Sequence, residues 1–440
     1  MKIKTLLVFS LALFFWVSGC FAEAKVVRFV VEGPIHAVTA EYVAKAIDFA
    51  ERNKAQAVVF QIETPGGVSE SMRSIISKMI SSPVPVIVYV APSGSRATSA
   101  GFFITISADL AVMAPGTHLG SAHPVFGGQD TPDSENSRTM LKKATEDSVA
   151  YIKTLAEQRG RNVQEAEKAV RDSISFTEKE ALRLNLINFI APDLNELLKQ
   201  ANGMTIKRFQ GQSIKLDLHD PKIIPFEMTA RQRFLSTLAD PNISFILLSL
   251  GMIGLMVELY NPGSIFPGIV GVICMALFFL SSQVLPINYI GLILVVFAIG
   301  LFVLELKVQS YGLLTVGGLI SLILGATMLF DAPIPEMKIT FKVIGIMVAL
   351  VAATMTFLLM LVVSLHRKKP VTGLQGLLQE IGTAQTDIDP DGQVFVHGEI
   401  WEAVSPFRIN KGDKVKILSV NGLTLQVEKL DERANSPSER

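Results

Sequence analysis

Two cysteines are too few to staple a chain of 440 residues. Cys20 sits in a leader-like start and Cys274 in an apolar run, so no disulfide framework is expected. Net charge is missing as well. The 40 basic and 40 acidic residues cancel, which removes the electrostatic footprint of a nucleic-acid binder. Histidine is scarce, at six residues, and nothing in the sequence implies a metal or an organic cofactor. Charge of either sign is almost absent from residues 243 to 365. So long an apolar stretch excludes an ordinary soluble surface there and reads as membrane.

What is present divides the chain into two or three domains by length and composition. Residues 1–24, "MKIKTLLVFSLALFFWVSGCFAEA", combine two lysines, an apolar run and small residues, the pattern of a secretory signal. Ala22 and Ala24 fit an A-x-A cleavage site, whereas Val17-Ser18-Gly19-Cys20 resembles the box before a lipid-modified cysteine; ordinary cleavage is the reading adopted. Five spans are expected across 240–366, at about 243–260, 265–282, 287–304, 312–330 and 343–365. A cleaved signal puts the first domain outside the cell membrane, and five crossings put the C-terminal tail in the cytoplasm. "HRKK" at 366–369 agrees with that orientation. Glu258 and Glu305 recur near span ends, each before a glycine-rich entry to the next span. An intramembrane carboxylate is a functional hypothesis by default, but interfacial snorkelling is the preferred reading.

Residues 25–235 alternate short β-rich apolar runs with amphipathic stretches: "KVVRFVVEG", then "AVTAEYVAKAIDFAERN", "AQAVVFQIE", "SESMRSIISKMISS" and "VPVIVYVA". Parallel strands with crossover helices, an α/β domain, follow from that pattern. Residues 370–430 carry short alternating runs with turn signals, and Asn421-Gly422 between "VKILSV" and "LTLQVE" marks a hairpin. A small all-β barrel of the OB type is expected there, with Phe395, Trp401 and Phe407 as core rather than a binding platform. It reads as an interaction module, and 431–440 as a disordered tail.

Open α/β sheets place their sites at the C-terminal ends of strands. "AVVFQIE" ends in Thr64-Pro65-Gly66-Gly67, and "VPVIVYV" runs through Pro92-Ser93-Gly94-Ser95-Arg96 to Ser99, where a helix begins. The backbone N–H groups of Gly66, Gly67, Val68 and Ala100 are candidates for holding an oxyanion, with Ser99 as nucleophile. A serine needs a base. His118 and His123 lie nearby but have no evident orienting acid. A lysine serves if its environment lowers its pKa. Lys142 and Lys143 open the amphipathic helix after "GGQDTPDSENSRT", and helical phase counted back from Val149 and Ile152 favours Lys142.

Taken together, "ETPGG", "SRATSAGFFITISADLAVMAPGTHLGSAHPV", "AYIKTLAEQRGRN" and "FTEKEALRLNLI" resemble the NfeD family of membrane-bound, ClpP-class serine proteases related to signal-peptide peptidase A. The resemblance spans nearly the whole chain. It implies a ClpP/crotonase-like protease domain, Ser99 as nucleophile and Lys143, seven residues before "AYI", as base, with Lys142 the runner-up. It further implies cleavage of hydrophobic segments, stomatin-like membrane proteins as partners, and a homo-oligomer. Glu63 stands where aspartate is commoner and Thr98 where alanine is frequent; neither removes a reacting group. The apolar residues of "GFFITI" and "SMRSIISKMI" are expected to help shape a substrate groove. The rival readings are a crotonase-type acyl-CoA enzyme, for which an exported domain has little CoA, and a non-catalytic membrane scaffold.

Overall fold

The run "VIVYV" at Val86–Val90 is apolar at every position, so it suits only a strand covered on both faces. It lies inside a six-stranded sheet whose neighbours are all parallel. A computed structural model describes residues 24–125, 135–209, 211–260, 263, 265–282, 285, 287–308, 310–330, 337–367 and 376–430. The cysteine and Ala22 of the leader, and the tail at 431–440, lie outside the described residues.

The first domain runs β1 (Lys25–Glu32), α1 (Ala37–Arg52), β2 (Ala57–Glu63), α2 (Ser69–Ser81), β3 (Val86–Val90), β4 (Arg96–Thr98), α3 (Ala100–Ser107), β5 (Leu110–Met113) and β6 (His118–Gly120). It continues with α4 (Glu135–Gln158), α5 (Val163–Arg171), β7 (Ser175–Thr177), α6 (Glu178–Arg183), β8 (Phe189–Ile190), α7 (Leu194–Ala201), β9 (Thr205–Lys207), β10 (Ser213–Lys215) and β11 (Lys222–Pro225). The main sheet has the order β11-β1-β2-β3-β5-β8, and a second, three-stranded sheet is ordered β4-β6-β7. The apolar faces of α1, α2, α3 and α4 pack on one side of the main sheet. Asp109, buried between α3 and β5, accepts hydrogen bonds from Arg159 Nη1 (2.6 Å) and from the N–H of Val86 (2.8 Å), and it also pairs with Arg208. That network ties the far end of α4 to the N-terminal edge of the sheet and leaves the opposite edge for the site.

Beyond α8 (Ala230–Leu238) come five apolar helices: α9 (Pro241–Tyr260), α10 (Ile265–Ser281), α11 (Tyr289–Lys307), α12 (Leu313–Met328) and α13 (Phe341–Arg367). Pro241–Tyr260 and Phe341–Met360 are long and apolar enough to cross a bilayer; the apolar parts of the other three have 10–17 residues. Glycines let paired helices approach closely. A Cβ on Gly254 would stand 2.5 Å from the Pro267 carbonyl oxygen, and one on Gly325 2.9 Å from the Val295 nitrogen. Glu305 does not snorkel. It is buried, and its carboxylate accepts from the N–H groups of Gly312 (2.9 Å) and Thr315 (2.8 Å), capping α12. Glu258 is exposed, with its carboxylate against Gly268 in the first turn of α10. The sequence echo is thus a repeated device in which the acid at the end of one helix meets the start of the next.

The C-terminal unit, taken by itself, is a closed barrel of β12 (Ile381–Ala384), β13 (Asp391–Val396), β14 (Glu399–Val404), β15 (Lys414–Asn421) and β16 (Thr424–Lys429), ordered β12-β13-β14-β16-β15. β14 and β16 pair in parallel and the other neighbours antiparallel, an OB-like arrangement. Asn421 pairs with Thr424, so the tight turn is Gly422-Leu423, one residue later than expected, with Gly422 at φ 62°. Trp401 packs on the barrel core, but Phe395 and Phe407 are exposed, contrary to the expectation that all three are core.

Candidate active site

β2 leaves the sheet through Thr64, whose N–H donates to the Arg96 carbonyl (2.8 Å) and whose carbonyl accepts from the N–H of Thr98 (3.1 Å). These bonds bring the Thr64–Val68 turn beside β4, and β4 delivers Ser99. Ser99 is a non-glycine residue at φ 52°, ψ −117°. Such a conformation costs on the order of 1–3 kcal/mol and persists only where the surroundings hold it. Here the Ser99 N–H donates to the Gly120 carbonyl (3.0 Å), and the Ser99 carbonyl accepts from Phe102 N–H (3.0 Å) as α3 begins. A Cβ on Gly66 would lie 2.6 Å from Ser99 Cβ and 3.0 Å from its Oγ, so the glycine turn faces the serine directly.

The four candidate N–H groups divide evenly. That of Gly66 donates to Thr64 Oγ1 (3.1 Å), and that of Val68 donates to the Ile35 carbonyl (2.8 Å). Both are engaged, which removes Gly66 and Val68 from the expected donor set. Among the described residues, the N–H groups of Gly67 and Ala100 have no partner. Ile35 accounts for the difference. Its own N–H donates to the Gly66 carbonyl (2.8 Å), so it clamps the turn from both sides and faces the Gly67 N–H away from itself. Ile35 and Gly120 carry no functional signal in the sequence. Ile35 and Gly120 act through pairings distant along the chain, which local pattern does not reveal.

His36, next to Ile35, caps α1 by accepting at Nδ1 from the Thr39 N–H (3.4 Å). Burial lowers its pKa to about 4. A cavity of about 400 Å³ opens beside it, lined by Glu32, Glu63, Pro65, Arg96 and the Asp240-Pro241 start of α9. Val68 packs against the apolar cluster of the membrane helices, which includes Phe245 and Leu248. The glycine turn therefore sits where the first domain meets the helical region.

On α4, Thr145, Val149, Ile152 and Ala156 are buried, whereas Met140, Leu141, Lys142 and Lys143 are exposed. Lys142 shares a stripe with Glu146, which pairs with Arg171 on α5 (2.7 Å). Lys143 shares a stripe with Asp147 and Tyr151, which face Arg73 of α2 and Phe103 of α3. Phe103 stacks on Tyr151 (ring centroids 6.0 Å apart), and Arg159 Nε donates to the Ser107 carbonyl (2.8 Å). These two contacts make α3 and α4 run in the same direction. Among the described residues no hydrogen bond joins Lys143 to Ser99. His123 is tied through Nδ1 to the Val170 carbonyl (2.9 Å), and His118 lies on β6 opposite Arg96; neither ring is hydrogen-bonded to Ser99. "GFFITI" and the apolar residues of α2 are core, not groove wall: Phe102, Phe103, Ile104, Ile106, Ile75 and Ile76 are all buried.

Comparison with known proteins agrees with this architecture. Residues 25–208 match the family described as NfeD1b, N-terminal domain; residues 242–362 match the NfeD integral membrane domain; residues 374–429 match the NfeD-like C-terminal, partner-binding domain. The chain is 33% identical over 438 residues to a membrane-bound protease of Pyrococcus horikoshii, covering 96% of this chain and 98% of that one. Two solved structures of a membrane-bound stomatin-specific protease are each 32% identical to it. One is a serine-to-alanine variant that covers 48% of this chain and 100% of its own, with a TM-score of 0.44. The other is a lysine-to-alanine variant in complex with a substrate peptide, covering 49% and 98%, with a TM-score of 0.45. Sequence and relatives converge, and the chain belongs to the NfeD family as a membrane-bound protease.

Proposed function

We propose that this protease is an endopeptidase working through a Ser99–Lys143 dyad, with the N–H groups of Gly67 and Ala100 as its oxyanion hole. The observation that carries the reading is Ser99 itself: a serine held at positive φ, against a bare glycine turn, between two unpartnered N–H groups. For Lys143, the support is the side of α4 on which it lies. The stripe that Lys143 shares with Asp147 and Tyr151 faces α2 and α3, whereas that of Lys142 faces α5.

In acylation, neutral Lys143 accepts the Ser99 hydroxyl proton as Oγ bonds to the scissile carbonyl carbon. The carbonyl oxygen becomes an oxyanion between the two N–H groups. Collapse breaks the C–N bond, and the protonated lysine returns its proton to the departing amine. Water, deprotonated by Lys143, then hydrolyses the serine ester and restores both groups.

The substrates we infer are hydrophobic segments of membrane-associated proteins, stomatin-like partners among them. Val68 links the oxyanion turn to the membrane helices, which supports a site reached from the bilayer surface. The protease domain is read as extracytoplasmic and the barrel as a cytoplasmic partner module, in a homo-oligomer. To test the dyad, Ser99→Ala, Lys143→Ala and Lys142→Ala are compared in the full chain on an apolar fluorogenic peptide. The first two lose at least about 10³-fold in kcat while remaining folded, and the third stays within severalfold of the parent. Undiminished turnover by Ser99→Ala sinks the nucleophile; a dead Lys142→Ala beside an active Lys143→Ala moves the base by one residue.

A further inference from the structure

The end of α4 that carries Lys143 projects past the buried core. Thr145 is the first buried position on the described part of that helix, and Met140 to Lys143 are exposed. A general base in such a place needs something to hold it, since an error of 1 Å in a reacting group is enough to cost about 100-fold in rate. On the stripe of α4 that carries Lys143, a side-chain bracket is built by Arg73. Its guanidinium lies 4.4 Å over the centre of the Tyr151 ring and pairs with Asp147. Tyr151 in turn stacks on Phe103, at an interplanar angle of 19°. Asp147 is one helical turn from Lys143 and Tyr151 two turns, about 6 and 12 Å along the axis.

The bracket joins three helices that each bring one part of the chemistry. Arg73 is on α2, which leaves the oxyanion turn directly after Val68. Phe103 is on α3, one turn after Ser99. Tyr151 and Asp147 are on α4 with Lys143. A guanidinium suits this junction because its flat face covers an aromatic ring while its edge donates to a carboxylate, which an ammonium does not reproduce. Resting on the dyad reading above, we propose that Arg73 is a positioning residue for catalysis. Through Tyr151 and Asp147 it fixes the exposed end of α4 so that Lys143 addresses Ser99.

The test measures kcat and KM from pH 6 to 10 for the full chain in lipid discs, with an apolar fluorogenic peptide and folded enzyme quantified for each variant. Arg73→Ala should lower kcat about 10- to 100-fold with KM within about twofold. The loss should stay in kcat rather than KM across the pH range, as for a base displaced from its target. Arg73→Lys should recover only part of the loss, because it restores charge without the planar fork. Tyr151→Leu should reproduce the phenotype, and the double variant should fall short of additivity. If Arg73→Ala does not fold, Tyr151→Leu and Asp147→Asn carry the same expectation. Variants with parental kcat, whatever their melting temperature, make Arg73 a purely structural contact and overturn the proposal. Lys143→Ala in the same assay keeps the two ideas apart: its retained activity would refute the dyad and the proposal with it, whereas a dead Lys143→Ala beside Arg73 variants of parental kcat overturns the proposal alone.

Discussion

Gly67→Ala tests the oxyanion turn with a single carbon atom. A Cβ at Gly67 would stand 2.1 Å from the carbonyl oxygen of Ile35, 2.5 Å from its nitrogen and 2.7 Å from its carbonyl carbon. Non-bonded carbon contacts settle near 3.5–4.0 Å, so the shortfall is more than 1 Å. All three neighbours are backbone, and no side-chain rotation relieves them. Ile35 is itself held by the Gly66 carbonyl and the Val68 N–H, so relief must come from moving the turn. That movement displaces the Gly67 N–H by about 1 Å. Misplacement on that scale costs about 10²-fold, and complete loss of one oxyanion donor about 10²- to 10³-fold. The expected outcome is a 100- to 1000-fold fall in kcat with KM changed by no more than a few fold. Overpacking of this kind destabilises by about 1–3 kcal/mol, which lowers the melting temperature of a domain of this size by roughly 3–10 °C. The assay is peptide turnover per folded molecule, with the fold checked by circular dichroism and size exclusion. A Gly67→Ala enzyme that turns over within threefold of the parent would refute the assignment of this N–H.

Two further outcomes follow from buried polar groups outside the chemistry. The folded-state pKa of His36, about 4, lies below its unfolded value near 6.5, so between those limits the unfolded chain binds the extra proton and stability falls as pH drops. The loss reaches about 3 kcal/mol by pH 4, and His36→Asn, which keeps a capping acceptor without titrating there, should flatten the dependence of melting temperature on pH between 4 and 6.5; an unchanged slope removes His36 as its source. Glu305→Ala strips the acceptor from two N–H groups at the start of α12, at about 1–3 kcal/mol each, and should lower the melting temperature in detergent, whereas Glu305→Gln should recover part of it. Equal stability of all three proteins would rule out the capping role.

The alternation of strands and helices was readable because burial on two faces forces apolar runs such as "VIVYV", while helices covering them keep one wet side. "GFFITI" was misjudged as groove wall. A helix apolar all round belongs inside, and every residue of α3 is buried. The turn at Gly66-Gly67 was visible, but not which amides it leaves open. That depends on Ile35, which reaches the turn from another strand's end, and sequence spacing contains no record of such a pairing. The strained φ of Ser99 was equally hidden, because it is imposed by Gly120 through the second sheet.

On the proposed dyad, burial periodicity and neighbouring helices point to different lysines. Counting back from Val149 and Ile152 extends the stripe that faces the core, and a core-facing stripe is where side chains meet other apolar side chains. A base must instead face a reacting atom at the edge of the fold, and on α4 the stripe of Asp147 and Tyr151 is the one turned toward α2 and α3. Lys142 neighbours Glu146 and its partner Arg171 on α5, a solvated ion pair with no access to the glycine turn implied. Among residues one position apart on a helix, about 100° of rotation separates the two surroundings. The identity of the neighbouring helices, rather than the period of the apolar residues, therefore decides which lysine is the better candidate, and those neighbours are set by the fold.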